Sequence, residues 1–287
     1  MDRPNPARDA KQRREQDDTT TVLLILGMHR SGTSAVTRML NLCGASLGRT
    51  LLPPKPDNER GFWENKAFLD LHERVLAQWH LRWHDIALFP AGWRQTPAAR
   101  RFASDLRHAL ATEFGDSRLV LVKDPRLSVL APLWTDTLHG TPIHSAFVVV
   151  VRHPDEVAAS LGKRDGLSIA HSRMLWLQHM VECVRATRAH PRVFVHYNDL
   201  LHDWRKQLGR IQSALALDLP GIAALPVLDR DEARFAQATR QMLETGDFLR
   251  IRFQDEARNK KPAGIYWLQA ASVAALSDAE SDAIWPY

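Results

Sequence analysis

The chain has 287 residues, 45% apolar and 25% charged, and carries a net charge of +5. Its apolar runs fall far short of the roughly 20 residues a membrane span requires, and two cysteines support neither a disulfide framework nor a cysteine zinc site. The basic excess favours anions, yet there is no helix with a clustered basic face and no basic strand interleaved with aromatics, which argues against a nucleic-acid module and for a phosphorylated small molecule.

Residues 1–20 mix Pro, Arg, Lys, Asp and Gln with no apolar stretch. They predict an unstructured basic tail, no secretory signal and a cytoplasmic protein, with residues 21–287 as one domain of a size that buries a substantial core. A branched apolar run predicts a strand over 22–27, and a helix follows over 33–43, closed by Gly44. Between them Gly27, Arg30 and Gly32 form the turn, and Thr33 and Ser34 open the helix. Backbone N–H groups converge at such a junction and the helix dipole adds positive potential, so a phosphate or sulfate is the expected guest. Gly27, Gly32 and Ser34 have the spacing of the nucleotide P-loop, but Thr33 stands in place of its lysine and the cation is Arg30 instead. Cys43 falls on the apolar face of Val36, Met39 and Leu40, the position of a buried thiol.

A Pro-rich loop through Pro53, Pro54 and Pro56 leads to Gly61-Phe-Trp-Glu-Asn65, where Asn65 is the expected N-cap of a helix over 66–80 with the stripe Phe68, Leu71, Val75, Leu76 and Trp79. His72, His80 and His84 read as surface histidines of that region. Further elements are expected at helix 99–114, strand 119–123, helix 127–138, strand 146–152, helix 154–161, helix 168–189, strand 192–196 and helix 203–216. Pro154 suits a first helical turn, and the continuous apolarity of Ala146–Val151 suits a strand buried on both faces. Alternating strands and helices predict an α/β, three-layer, P-loop-like fold with a central parallel sheet flanked by helices. Its ligand belongs at the carboxyl ends of the strands, where Gly27, Lys123 and Arg152 all lie.

Arg30-Ser-Gly-Thr-Ser34 after a strand resembles the 5′-phosphosulfate loop of sulfotransferases that use 3′-phosphoadenosine 5′-phosphosulfate (PAPS), in the arginine-bearing form of carbohydrate-type and bacterial branches. The family's second signature, a strand ending in arginine with a serine eight positions on, matches Arg152 and Ser160. The resemblance covers roughly residues 20–215. It implies PAPS as co-substrate, with Arg30, Ser31, Gly32, Thr33 and Ser34 around the 5′-phosphate and Arg152 and Ser160 on the 3′-phosphate. Arg152 as a strand cap and Ser160 as a surface serine is the competing reading. Leu119–Lys123 resembles the strand whose terminal lysine stabilises the sulfuryl group, so Lys123 is a catalytic candidate, the alternative being a solvent-facing lysine. Tyr197, in a segment resembling the family's Tyr-Glu-Asp-Leu element with Asn198 in place of glutamate, is an adenine neighbour or a strand-end packing residue. The family's histidine base has no counterpart, because Pro125 occupies its position. Glu64 matches the glutamate base of other branches and competes with Glu59 and with the role of a dipole-compensating or solvated acid.

The resemblance therefore implies transfer of a sulfuryl group to a hydroxyl acceptor, first a sugar or lipid-linked glycan, with Trp63, Trp79, Trp83 and Trp93 as stacking or core residues and oligomeric state open. No metal constellation stands out: His139 and His144 flank a turn, and His190 and His196 flank a strand. An ATP-dependent P-loop kinase, with Asp124 as its strand-end acid, and a non-catalytic nucleotide-binding protein are the alternatives. Arg250–Phe253 and Asn259–Lys261 are basic enough to cover a donor but match no family element.

Overall fold

The computed structural model describes residues 20–53, 61–86 and 89–224, with the backbone of Arg252–Phe253 and Glu256–Ala257. The tail before residue 20, Pro54, Pro56, Glu59 and the basic segment 259–261 lie outside the described residues. The chain divides into two compact units, Met1–Leu200 with Arg205–Ile222, and Leu201–Trp204 with Ala223–Tyr287. In the second, Arg252–Phe253 pairs antiparallel with Glu256–Ala257. The first unit carries the sheet.

That sheet has four strands, β1 (Thr21–Leu26), β2 (Leu119–Lys123), β3 (His144–Val151) and β4 (Arg192–His196), in the order β2-β1-β3-β4 with every neighbouring pair parallel. Val22–Leu26 and Phe147–Val150 are fully buried, which is why these runs are apolar without alternation. The helices are α1 (Thr33–Leu42), α2 (Lys66–Gln78), α3 (Pro97–Phe114), α4 (Leu127–Leu138), α5 (Pro154–Asp165), α6 (Ile169–Thr187), α7 (Tyr197–His202) and α8 (Trp204–Leu215). Val22, Leu24 and Leu26 join a core built with Phe68 of α2, Phe102 of α3, Trp134 of α4 and Cys183 of α6. Because strand side chains alternate, Leu23 and Ile25 face the opposite side, and α1 packs against β1 and β2. The result is an α/β fold with a parallel sheet between helical layers, as the alternation of elements predicts.

Local chemistry sets the boundaries. Asn65 Oδ1 accepts the Ala67 N–H at 2.9 Å and starts α2, Thr96 caps α3, and Pro154 opens α5. The helix expected to stop at 161 runs on to Asp165, where Gly166 at φ 69° ends it. Tyr197, expected in a strand-to-turn segment, opens α7 instead, with Asp199 in its first turn.

Packing corrects one reading. His72 is fully buried rather than on the surface, and Trp63, Trp79, Trp83 and Trp93 are all half-buried. Among the described residues the wholly buried indole is that of Trp134, 5.5 Å from the Phe68 ring, and its Nε1–H is satisfied by His72 Nε2 at 2.9 Å. Register finally brings the strand ends level: Ile25 lies beside Lys123, Leu26 beside Val149, and Val151 beside His196.

Candidate functional site

The loop after β1 is shaped by two glycines and one strained arginine. Gly27 sits at φ 147°, where a Cβ would meet the Val150 carbonyl at 2.7 Å, and Ser128 Oγ brackets it, accepting the Gly27 N–H at 3.0 Å and donating to its carbonyl at 3.1 Å. Gly32, at φ 92°, lies so near the Tyr197 ring that a Cβ would stand 2.2 Å from it. Arg30 is held at φ 68°, a backbone conformation costly for any residue with a side chain. Beyond the turn, Thr33 and Ser34 begin α1, whose first N–H groups have no acceptor within the helix. Ser31 Oγ is buried with no hydrogen-bond partner among the described residues. Free N–H groups, an orphaned hydroxyl and nearby guanidinium groups fit an oxyanion.

Four separate segments meet at this loop. Arg30 Nε donates to Ser160 Oγ of α5 at 2.9 Å, and Arg152 NH1, just after β3, donates to the Arg30 carbonyl at 3.0 Å. The Arg152 guanidinium lies 4.5 Å from the centre of the Tyr197 ring, which itself covers Gly32. Arg152 is further fixed by Glu156 at 2.8 Å through Nε, and its carbonyl accepts the Trp176 indole N–H at 3.0 Å. Arg30, Gly32, Arg152, Ser160 and Tyr197, named separately from the sequence, thus form one cluster.

A second group stands at the end of β2. Lys123 is 4% exposed and Glu64 7%, so neither faces solvent, and Lys123 Nζ donates to Glu64 Oε1 at 2.5 Å and to the Phe62 carbonyl at 3.2 Å. The same carbonyl accepts Ser34 Oγ–H at 3.3 Å, linking this group to the loop. Burial lifts the Glu64 pKa above the ordinary range despite the pull of Lys123. Trp63, between Phe62 and Glu64, is held at φ 55°. That turn lets the residues on either side of it, Phe62 and Glu64, aim a carbonyl and a carboxylate at one ammonium.

Sequence reasoning missed the supports of this group. Asp124 is buried; its Oδ1 accepts the Arg126 backbone N–H at 3.0 Å and the Arg126 guanidinium at 2.9 Å, and its Oδ2 faces His72 Nδ1 at 2.7 Å. Because Trp134 donates to Nε2, His72 carries its proton on Nδ1 and donates to Asp124. Burial alone would raise the Asp124 pKa, but Arg126 and then His72 hold it well below the usual carboxylate range. Glu113, near the end of α3, accepts the Arg49 and Thr50 N–H groups at 2.8 and 2.9 Å, Thr50 Oγ1–H at 2.9 Å and Asn65 Nδ2 at 2.6 Å. Those contacts fix Asn65, the neighbour of Glu64. No short-range pattern marks Glu113, His72 or Ser128, whose partners lie 48 to 101 residues away.

No family model matches the chain, and no curated protein matches it. Solved structures to which the chain is similar include two domains. Both are sulfotransferase domains. The one from the Synechococcus PCC 7002 olefin synthase aligns over 91% of this chain and 96% of its own, at TM-score 0.45 and 17% identity. The other, from the curacin biosynthetic pathway, aligns over 71% and 77%, at TM-score 0.43 and 15% identity. Among the described residues no group of three His, Cys, Asp or Glu side chains is placed to hold a metal ion, and no helix is long and apolar enough to cross a membrane.

Proposed function

We propose that this chain is a sulfotransferase that moves the sulfuryl group of PAPS to an acceptor hydroxyl and releases adenosine 3′,5′-bisphosphate. The observation that carries the reading is the cluster in which Arg152 bonds the Arg30 carbonyl at 3.0 Å and Arg30 bonds Ser160 at 2.9 Å, with Tyr197 against Gly32. A donor phosphorylated at both the 3′ and 5′ positions of one ribose needs two anion sites close together and a flat surface beside them for its base. The loop amides with Ser31, Gly32, Thr33 and Ser34 supply one site for the 5′-phosphate. Arg152 and Ser160 supply the other, and Tyr197 supplies the surface for adenine.

Transfer is an in-line displacement. The acceptor oxygen bonds to sulfur as the bond from sulfur to the bridging oxygen breaks, and the bridging oxygen leaves on the bisphosphate. Arg30 and Lys123 stabilise the charge that develops there. Glu64 takes the acceptor proton, its raised pKa making it a stronger base than an exposed carboxylate. A sugar or lipid-linked glycan is the first acceptor class to test, in a cytoplasmic setting.

A kinase reading draws on Asp124 as a strand-end acid. That carboxylate is occupied by Arg126 and His72, which favours the sulfuryl donor over a magnesium–ATP complex. The deciding measurement is the thermal shift of the full chain with adenosine 3′,5′-bisphosphate against ADP and ATP, each with and without Mg2+. Selective, metal-independent stabilisation by the bisphosphate is expected, and stabilisation by ATP with Mg2+ alone would overturn the reading. Arg152→Ala should weaken the bisphosphate at least tenfold more than AMP, which loses only the support that Arg152 gives the Arg30 carbonyl; equal losses would remove Arg152 from the 3′-phosphate. Glu64→Gln should keep bisphosphate affinity and lose about 100-fold or more in turnover.

A further inference from the structure

The loop after β1 contains a second buried polar atom without a hydrogen-bond partner among the described residues, His29 Nε2. The donor reading uses Arg30 and Ser31 beside it and leaves His29 without a role. Its ring is tilted 49° against Trp83, with centroids 4.3 Å apart. Trp83 is half-buried against the cluster of Met28, Val157, Leu161 and Leu175, under the guanidinium of Arg164 at 5.5 Å. Trp83 also lines a shallow, solvent-open cleft with Leu76, Leu81, Phe89, Val129 and His179, whose wall also carries the charged Arg82, Asp85 and Arg126. Burial, and then the charges of Arg126 and Arg164, keep the His29 pKa well below 6.5, so the ring is neutral at pH 7. A neutral imidazole nitrogen pairs with a hydroxyl whichever tautomer it holds, because a hydroxyl both donates and accepts.

We propose that His29 and Trp83 form the acceptor edge of the site: Trp83 turns off the imidazole, and His29 Nε2 then pairs with a hydroxyl of the acceptor while the indole packs on the apolar face beside that hydroxyl. The proposal rests on the sulfuryl-transfer reading, since the acceptor must approach the same loop that holds the donor. Its ligand chemistry is a hydroxyl flanked by an apolar face. An aromatic or alicyclic alcohol has that character, and so does the C–H face of a sugar ring, whereas a highly charged acceptor does not. The apolar part of the cleft wall, Leu76, Leu81, Phe89 and Val129 beside Trp83, matches it.

The experiment uses the full chain as wild type, His29→Ala, His29→Gln and Trp83→Ala. Calorimetry gives the Kd of adenosine 3′,5′-bisphosphate for each, and then, with that nucleotide saturating, the Kd of 2-naphthol, cyclohexanol and methyl β-D-glucopyranoside. The bisphosphate Kd should stay within about twofold throughout, which also reports intact folding. At least one probe should bind the wild type, bind His29→Ala and Trp83→Ala about tenfold more weakly, and recover partly in His29→Gln, whose amide can again pair with a hydroxyl. Which probes bind tells a sugar acceptor from an apolar alcohol. Unchanged probe affinity in His29→Ala, or no probe bound by the wild type, overturns the proposal. Loss of the bisphosphate in a His29 variant whose melting point is unaltered moves His29 to the donor side, also against it. A wild type that ignores the bisphosphate instead defeats the donor reading, and this proposal falls with it.

Discussion

Arg30 and Trp63 are both held at positive φ, 68° and 55°, and they flank the two halves of the site. Each such conformation costs on the order of 1 kcal/mol, and both are locked by contacts: the Arg30 carbonyl by Arg152, and the Trp63 ring by the Arg38 guanidinium at 4.4 Å. Gly32 has the reverse constraint, with no room for a methyl group. Gly32→Ala should therefore displace Tyr197 and weaken bisphosphate binding about tenfold or more, and the double variant with Tyr197→Ala should regain the fit of the loop but not the adenine surface proposed for that ring. A double-mutant cycle on bisphosphate Kd measures this, and strict additivity would contradict it. Lys123→Met leaves the Glu64 carboxylate buried without its cation, a change that costs about 3–5 kcal/mol. The Glu64 pKa is already raised, so its ionisation opposes folding progressively as pH rises through that value. The loss in melting temperature for Lys123→Met should accordingly be larger at pH 8 than at pH 5.

At the scale of elements, two buried side chains join segments distant in sequence. Ser128, in the first turn of α4, anchors the end of β1 through both polar atoms of Gly27, and Ser128→Ala strands a buried N–H at a cost of about 1–3 kcal/mol. Glu113 fastens the Arg49–Thr50 segment and Asn65 to the end of α3. Glu113→Ala removes four hydrogen bonds to a carboxylate and should lower stability by about 3 kcal/mol, while turnover falls more than bisphosphate affinity, since the segment it fixes carries Glu64. Chemical denaturation with parallel nucleotide titration checks both. The strands and helices themselves were legible because each rests on a local signal. β2 (Leu119–Lys123), α4 (Leu127–Leu138) and β4 (Arg192–His196) coincide with their expected limits, since an apolar run or helical stripe bounded by charged or turn residues needs no distant partner. Ser128 and Glu113 were not legible. Their roles depend on which remote N–H groups arrive beside them, and a serine or glutamate on a helix has the same local appearance whether or not they do.

For the whole molecule, several buried groups titrate in one direction. Burial holds His179 at about 4, against 6.5 in an unfolded chain, and His29 is lowered in the same sense. The unfolded chain therefore takes up protons first, so their contribution is complete above about pH 6.5 and is lost as pH falls toward 4. For His179 it amounts to on the order of 3 kcal/mol. Asp124 and Glu113, both lowered, extend that loss below the carboxylate range. Melting temperatures across pH 4–7 should fall steadily on the acid side, and His179→Gln should flatten the upper part of that fall; a flat wild-type profile would refute the assignment. The sheet and the level of its strand ends could be read from the apolar runs and the residues that end them, whereas the membership of the Arg30–Arg152–Ser160 cluster was implied by the motifs that resemble the sulfotransferase family. Its internal pairing could not be read, because several geometries satisfy the same residue types. A different contact joins the start of α1 to the end of β2. A single oxygen, the Phe62 carbonyl, is shared by Ser34 and Lys123. Under the proposed function, a ligand that draws Ser34 or Lys123 off this carbonyl changes the contacts that hold the other, and binding at the helix start and at the strand end is then thermodynamically linked. By reciprocity, the factor by which one substrate alters affinity for its companion must equal the factor in the reverse direction, whichever arrives first.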